Sequence, residues 1–215
     1  MYSKHIKEHK TSWGAPVLTA TFPAYRSVSF VGSIELPKYS IMGDELGKLY
    51  GQMLLEGTKK KKKKDIQILL DTWGASLSFS TSTTRLVFSG RVRTVHFEKL
   101  LALVSEVLTE PTFPAAELAS LKKRELGGLA MEAQDTRSQA SIGLARALFP
   151  KGHPNYAHII EESRRALAGI TRGALVKFHN EVVGRDSLVF SVAGEMDEKK
   201  ILAYVEKYFK KLPKG

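Results

Sequence analysis

The hydrophobic period of this sequence changes five times, and that grouping constrains the fold more than any single motif. "APVLTATF" (15–22) and "RSVSFVGSIEL" (26–36) alternate apolar with small or polar residues, the period-2 pattern of half-buried strands. Pro23 reads as a turn between them, and Pro37 closes the second. From Gly43 the period turns helical: Leu46, Leu49, Tyr50, Met53 and Leu54 form one stripe. Gly57 stands where a left-handed helix cap is favoured. A second helix follows in "KKKDIQILLDTWG", with Ile66, Leu69 and Leu70 on one side and Gly74 as its stop. Period 2 then returns in "ASLSFSTSTTRLVFSGRVR" (75–93), an antiparallel hairpin turning at Ser80 to Thr84.

The rest of the chain is mostly helical. "VHFEKLLALVSEVLTEP" is an amphipathic helix halted by Pro111. Pro114 starts the next, which runs to Phe149 with Gly127 and Gly128 as its expected interruption. "PKGHPNY" (150–156) is a loop, followed by a short helix in "SRRALAGI" and a longer one in "TRGALVKFHNEVV" capped by Thr171. "DSLVFSVAGEM" is a strand, and "DEKKILAYVEKYFKKLP" is a closing helix capped by Asp197. Hairpins and long helices are grouped rather than alternating, which predicts an α+β, two-layer domain with a mostly antiparallel sheet. One domain over 15–215, preceded by an N-terminal extension over 1–14, is the expected organisation.

Composition narrows the chemistry. There is no cysteine, hence no disulfide, thiolate zinc site or cysteine nucleophile. No apolar run reaches the ~18 residues of a membrane span. The polar start "MYSKHIKEHK" is not expected to be a secretory signal. The net charge is +11, and Lys59, Lys60, Lys61, Lys62, Lys63 and Lys64 supply six of it. The basic excess is therefore largely one cluster, read as a solvated segment or, alternatively, as a contact for a polyanion or acidic partner. No aromatic or arginine residue is interleaved with it, so nucleic acid is not the expected ligand. A G-x-S-x-G nucleophile turn and a phosphate-binding G-x-x-x-x-G-K-[ST] loop are both missing from the sequence.

The succession of a strand with "GS", a helix, "EGT", a helix, "WGASLSFSTS", a hairpin, long helices, "HPNY", "ITRGALVKFHNEVV", "VAGEMD" and "YFKKLP" resembles the insulinase/pitrilysin family (M16) of zinc peptidases. The resemblance runs from about Val17 to Pro213. It implies a sheet with helices on one face, and one half of a subunit that carries two such halves in tandem. The closing "KKLPKG" resembles the passage into an interdomain linker, so a longer tandem protein is expected.

Active members of that family carry H-x-x-E-H on the first helix, where two histidines on one helical face bind zinc and the glutamate activates water. Counting back from Gly57 and Thr58 places those roles on Lys48, Gly51 and Gln52. An ammonium has no lone pair to give, glycine has no base, and a carboxamide is a poor zinc ligand. A charge pair about 4 Å apart interacts by ~4 kcal/mol at an effective dielectric of ~20, so Lys48 would oppose a divalent ion by about twice that. The family's third ligand is a later glutamate, and the corresponding window holds Gly127, Gly128, Leu129 and Ala130, flanked by Glu125 and Glu132 as expected surface residues. The resemblance therefore implies no catalytic residue and no zinc in this domain, with zinc only in a partner domain.

Other candidates are weaker. His5 and His9 have helical ligand spacing but lie in a segment read as a disordered tail. His153 and His158 are expected to be structural, and Asp135 with Arg137 to form an ion pair. The leading expectation is a catalytically inactive domain that pairs with a second M16 domain around a peptide-binding chamber. The alternatives are a basic binding module built on Lys59–Lys64, or a purely structural core-type subunit.

Overall fold

The structure, a computed structural model, describes residues 5–22, 26–36, 41–82, 84–153 and 155–214, without the side chains of 41–44. Six strands, β1 (Ile6–Lys10), β2 (Pro16–Thr21), β3 (Ser27–Glu35), β4 (Ser76–Thr81), β5 (Arg85–Arg93) and β6 (Val189–Gly194), form one sheet in the order β1-β2-β6-β3-β5-β4. Every pairing is antiparallel except β2 with β6. The helices are α1 (Ile41–Met53), α2 (Lys63–Trp73), α3 (Phe97–Thr109), α4 (Ala115–Glu132), α5 (Thr136–Leu148), α6 (Ile160–Gly169), α7 (Arg172–Val182) and α8 (Glu198–Phe209).

Alternation along the strands separates the two sheet faces. Val28, Phe30, Ile34, Leu86, Phe88, Val92, Phe190 and Val192 are buried, and their neighbours in sequence are not. The buried face meets α3 and α8 through rings: Phe30 lies 6.1 Å from Phe97, and Phe88 and Phe190 lie 5.8 and 5.1 Å from Phe209. Each such ring contributes about 2–3 kcal/mol by leaving water. Two glycines make room for this packing. Gly32 pairs with Phe88 and Gly90 with Phe30 across β3 and β5, and a Cβ at either would run into the partner ring. The opposite face is lined by small residues and holds a shallow depression of about 290 Å³ between Ile6, Leu18, Ala20, Val31, Ser191 and Ala193.

Several local expectations change. The N-terminal segment is not a loose tail: Ile6–Lys10 pairs with β2 as an edge strand, and His9 Nε2 lies 3.1 Å from Thr19 Oγ1. Gly57 is not a left-handed cap. A short 3₁₀ turn, Leu54–Glu56, follows α1, and Gly57 adopts φ 155°, ψ 152°, a region open essentially only to glycine. Gly127 and Gly128 lie inside α4 without interrupting it; the break falls at residues 133–135. Asp135 caps α5 by accepting from the Arg137 backbone N–H at 3.0 Å and from the Ser138 hydroxyl at 2.9 Å, in place of the expected ion pair. Asp197 and Thr171 are helix caps as expected. The turn readings at Pro23 and Pro37 lie outside the described residues.

Candidate functional site

Helix α1 is held between the sheet and the later helices by its apolar stripe. Leu49, Tyr50, Met53 and Leu54 are fully buried, so the helix is fixed whatever its polar positions carry. Tyr50 sits among Phe113, Phe178 and His179, and its hydroxyl lies 2.9 Å from His179 Nδ1 on α7. Burial pushes the phenol pKa up and pushes the imidazole down to about 4. A neutral phenol and a neutral imidazole thus share a hydrogen bond that links α1 to α7.

The three positions matched to the zinc motif lie on the other side of α1. The Lys48 ammonium is largely exposed and turns to Glu45, a buried carboxylate 3.2 Å away. Gly51 rests on β4: a Cβ there would lie 3.2 Å from Ser80 Cα and 3.3 Å from the Phe79 carbonyl oxygen. Gly47 makes a similar approach one turn earlier, where a Cβ would lie 3.0 Å from Thr81 Oγ1. A glutamate at 51 would have to start from this tight contact with backbone, so α1 or β4 would have to give by a few tenths of an ångström to admit it.

Gln52 reaches the later helix. Its amide nitrogen donates to Glu125 Oε1 at 3.3 Å, and its carbonyl oxygen accepts from Arg124 Nη2 at 2.5 Å. Glu125 is therefore not an isolated surface residue of α4, as sequence spacing suggested. It is the carboxylate that α4 brings to the motif face of α1, 73 positions from Gln52. Glu132 is exposed at the end of α4, and the space around a Cβ at Gly127 or Gly128 is open.

Zinc fits this donor set poorly. The motif face offers a carboxamide, two cations and two carboxylates, of which Glu45 is already paired with Lys48 and Glu125 is bonded to Gln52. Among the described residues, no three histidine, cysteine, aspartate or glutamate side chains come together as a metal would require. The histidines are dispersed: His153 stacks on Phe149 at 4.6 Å, His96 faces Trp73, and His158 approaches Glu162 at 3.5 Å.

The lysine cluster is also engaged within the protein. Lys60 pairs with Glu110 at 2.9 Å, Lys61 with Glu106 at 2.5 Å, and Lys63 with Glu56 and Glu117 at 2.7 and 3.3 Å. Asp65 accepts from the Lys62 backbone N–H and caps α2. Burial raises the Glu106 pKa, but the Lys61 and Thr58 donors outweigh it and hold the carboxyl below its usual range. The run is thus a clasp on α3 and α4 rather than six free cations. Its run-like look in sequence concealed acidic partners 45 to 54 positions away.

A six-stranded, mostly antiparallel sheet packed on helices, with α1 crossed by the later α4, defines the class: a two-layer α+β domain. Two profiles of one family match the sequence. The insulinase (peptidase family M16) profile covers residues 46–144, and the peptidase M16 inactive-domain profile covers 169–215. The chain belongs to peptidase family M16. It is 24% identical over 208 residues to an uncharacterized zinc protease of Rickettsia bellii (strain RML369-C), covering 94% of this chain and 49% of that protein. The fold is similar to a peptidase M16 inactive domain from Pseudomonas fluorescens, with TM-score 0.85 and 24% identity over 98% of this chain and 51% of that one. It is also similar to a protease from Helicobacter pylori, with TM-score 0.84 and 14% identity, again over 98% and 51%. The chain spans about half the length of these relatives. Among the described residues no helix is long and apolar enough to cross a membrane.

Proposed function

We propose that this chain is a single, catalytically inactive M16 domain that pairs with a second M16 domain, tandem or separate, to form or stabilise a peptide-binding chamber. The observation that carries this reading is the motif face of α1. Lys48, Gly51 and Gln52 supply neither zinc ligand nor base, and the contact of Gly51 with β4 leaves little room for one. The helix nevertheless keeps its buried stripe, so the fold is maintained apart from the chemistry. The proposed role of the fold is therefore architectural. One edge of the sheet is β4 and the other is β1, and an extended peptide could be held by strand addition at such an edge. The reading as a basic module loses support, because Lys60, Lys61 and Lys63 are ion-paired within the domain.

Two measurements test the proposal. Elemental analysis of zinc-equilibrated protein after exhaustive buffer exchange should give close to zero zinc, with no cleavage of quenched fluorescent peptides. One equivalent of zinc together with hydrolysis would overturn the inactive reading. Cross-linking in native extract should join the chain to a further M16 domain or copy; recovery of uncross-linked monomer only would overturn the pairing.

A further inference from the structure

The disagreement between this site and zinc has a specific form. We propose that Gln52, Arg124 and Glu125 make a metal-free tie between α1 and α4, and that Glu125 already stands at the spacing of a zinc ligand beside residue 52. The inference deepens the inactive reading above and rests on it.

The geometry carries the proposal. Zinc–nitrogen and zinc–oxygen bonds of about 2.0–2.2 Å in a tetrahedron put neighbouring donor atoms about 3.3–3.6 Å apart. The Gln52 amide nitrogen and Glu125 Oε1 are 3.3 Å apart. The two helices therefore hold a side-chain nitrogen and a carboxylate oxygen as closely as a metal would, and a hydrogen bond fills that distance. Arg124 closes the other end of Gln52 by donating to its carbonyl oxygen. A carboxamide serves both neighbours, because it offers a donor to Glu125 and an acceptor to Arg124. Lys48, one turn earlier on α1, is drawn aside to Glu45 and does not neutralise Glu125. Glu125 is three positions before Gly128, one helical turn along the same side of α4. A carboxylate can thus meet α1 from a different turn of α4 than the Gly127–Ala130 window suggests.

Two substitutions follow as the shortest route to a metal site: Lys48→His and Gln52→His place two imidazoles at i and i+4 on α1, facing Glu125. Gly51 is left unchanged, so the close contact with β4 is preserved. The experiment is zinc titration by isothermal calorimetry and by thermal unfolding of the parent chain, the K48H/Q52H variant, and that variant with Glu125→Gln added. The parent should show no zinc-dependent shift and no loss of stability with a chelator. The double variant should take up one zinc, with a melting temperature that rises with zinc concentration as linkage requires. Glu125→Gln should weaken that binding by at least about tenfold. Circular dichroism establishes that each variant is folded. A fourth variant, Gln52→Ala, should lower the melting temperature by about 2–4 °C in the absence of any metal. Zinc binding by the parent would overturn the inactive reading and the inference together. A folded double variant that binds no zinc, or binds it regardless of Glu125→Gln, would overturn the inference alone. A Gln52→Ala protein as stable as the parent would overturn the tie.

Discussion

His179 offers the most quantitative test of how α1 is anchored. Its imidazole shares a hydrogen bond with the buried Tyr50 hydroxyl and is enclosed by Phe113 and Tyr50. Burial lowers its pKa from 6.5 to about 4. Above pH 6.5 the group is neutral in both folded and unfolded chains and costs nothing. As pH falls from there, the unfolded chain takes up a proton that the folded chain refuses, so stability declines until about pH 4, where both are protonated. A shift of this size corresponds to about 3 kcal/mol, which partial exposure of the ring reduces to about 2 kcal/mol. The assay is urea unfolding at pH steps between 7.5 and 4 for the parent chain and for His179→Gln, which keeps an acceptor for the hydroxyl but does not titrate. The parent's advantage should shrink by about 2 kcal/mol on acidification, a change of about 1 M in urea midpoint. Carboxylates that titrate near pH 4 affect both proteins alike, so the difference isolates His179. A difference that stays flat across this range would refute the assignment of a buried, neutral imidazole.

Two further outcomes are expected. The depressed Glu106 pKa contributes stability that is full above the ordinary carboxylate range and is lost as pH falls through the lowered folded-state value, so Lys61→Ala should cost about 1 kcal/mol at pH 7 and progressively less on acidification, read by thermal unfolding. Gly90→Ala should destabilise the sheet by about 2 kcal/mol or more in chemical denaturation, because its Cβ would lie 2.7 Å from the Phe30 ring and 2.8 Å from the Ser76 carbonyl oxygen.

Periodicity alone placed five of the six strands and most helices, because burial on one face repeats every two residues in a strand and every 3.6 in a helix. It identified Leu49, Tyr50, Met53 and Leu54 as the buried side of α1, whereas the match of Lys48, Gly51 and Gln52 to a zinc motif came from the family resemblance counted back from Gly57 and Thr58. The caps at Thr171 and Asp197 were legible for the same reason, since a cap and its N–H partner lie within one turn. The strand formed by Ile6–Lys10 was not: an exposed edge strand has no apolar face to give it a period, and it exists only because β2 supplies the ladder.

What the sequence determined by itself is the local half of this protein: which segments are helix or strand, and which faces are apolar. Tertiary structure decided the partners. Glu125 meets Gln52 across 73 positions, Glu106 meets Lys61 across 45, and His179 meets Tyr50 across 129, and no local pattern encodes those separations. The physical reason is range. Backbone preferences and hydrophobic period act within a few turns, whereas a hydrogen bond or ion pair depends on where packing of the sheet and helices delivers two side chains, and Gln52 became a tie only because α4 crosses α1 at that turn.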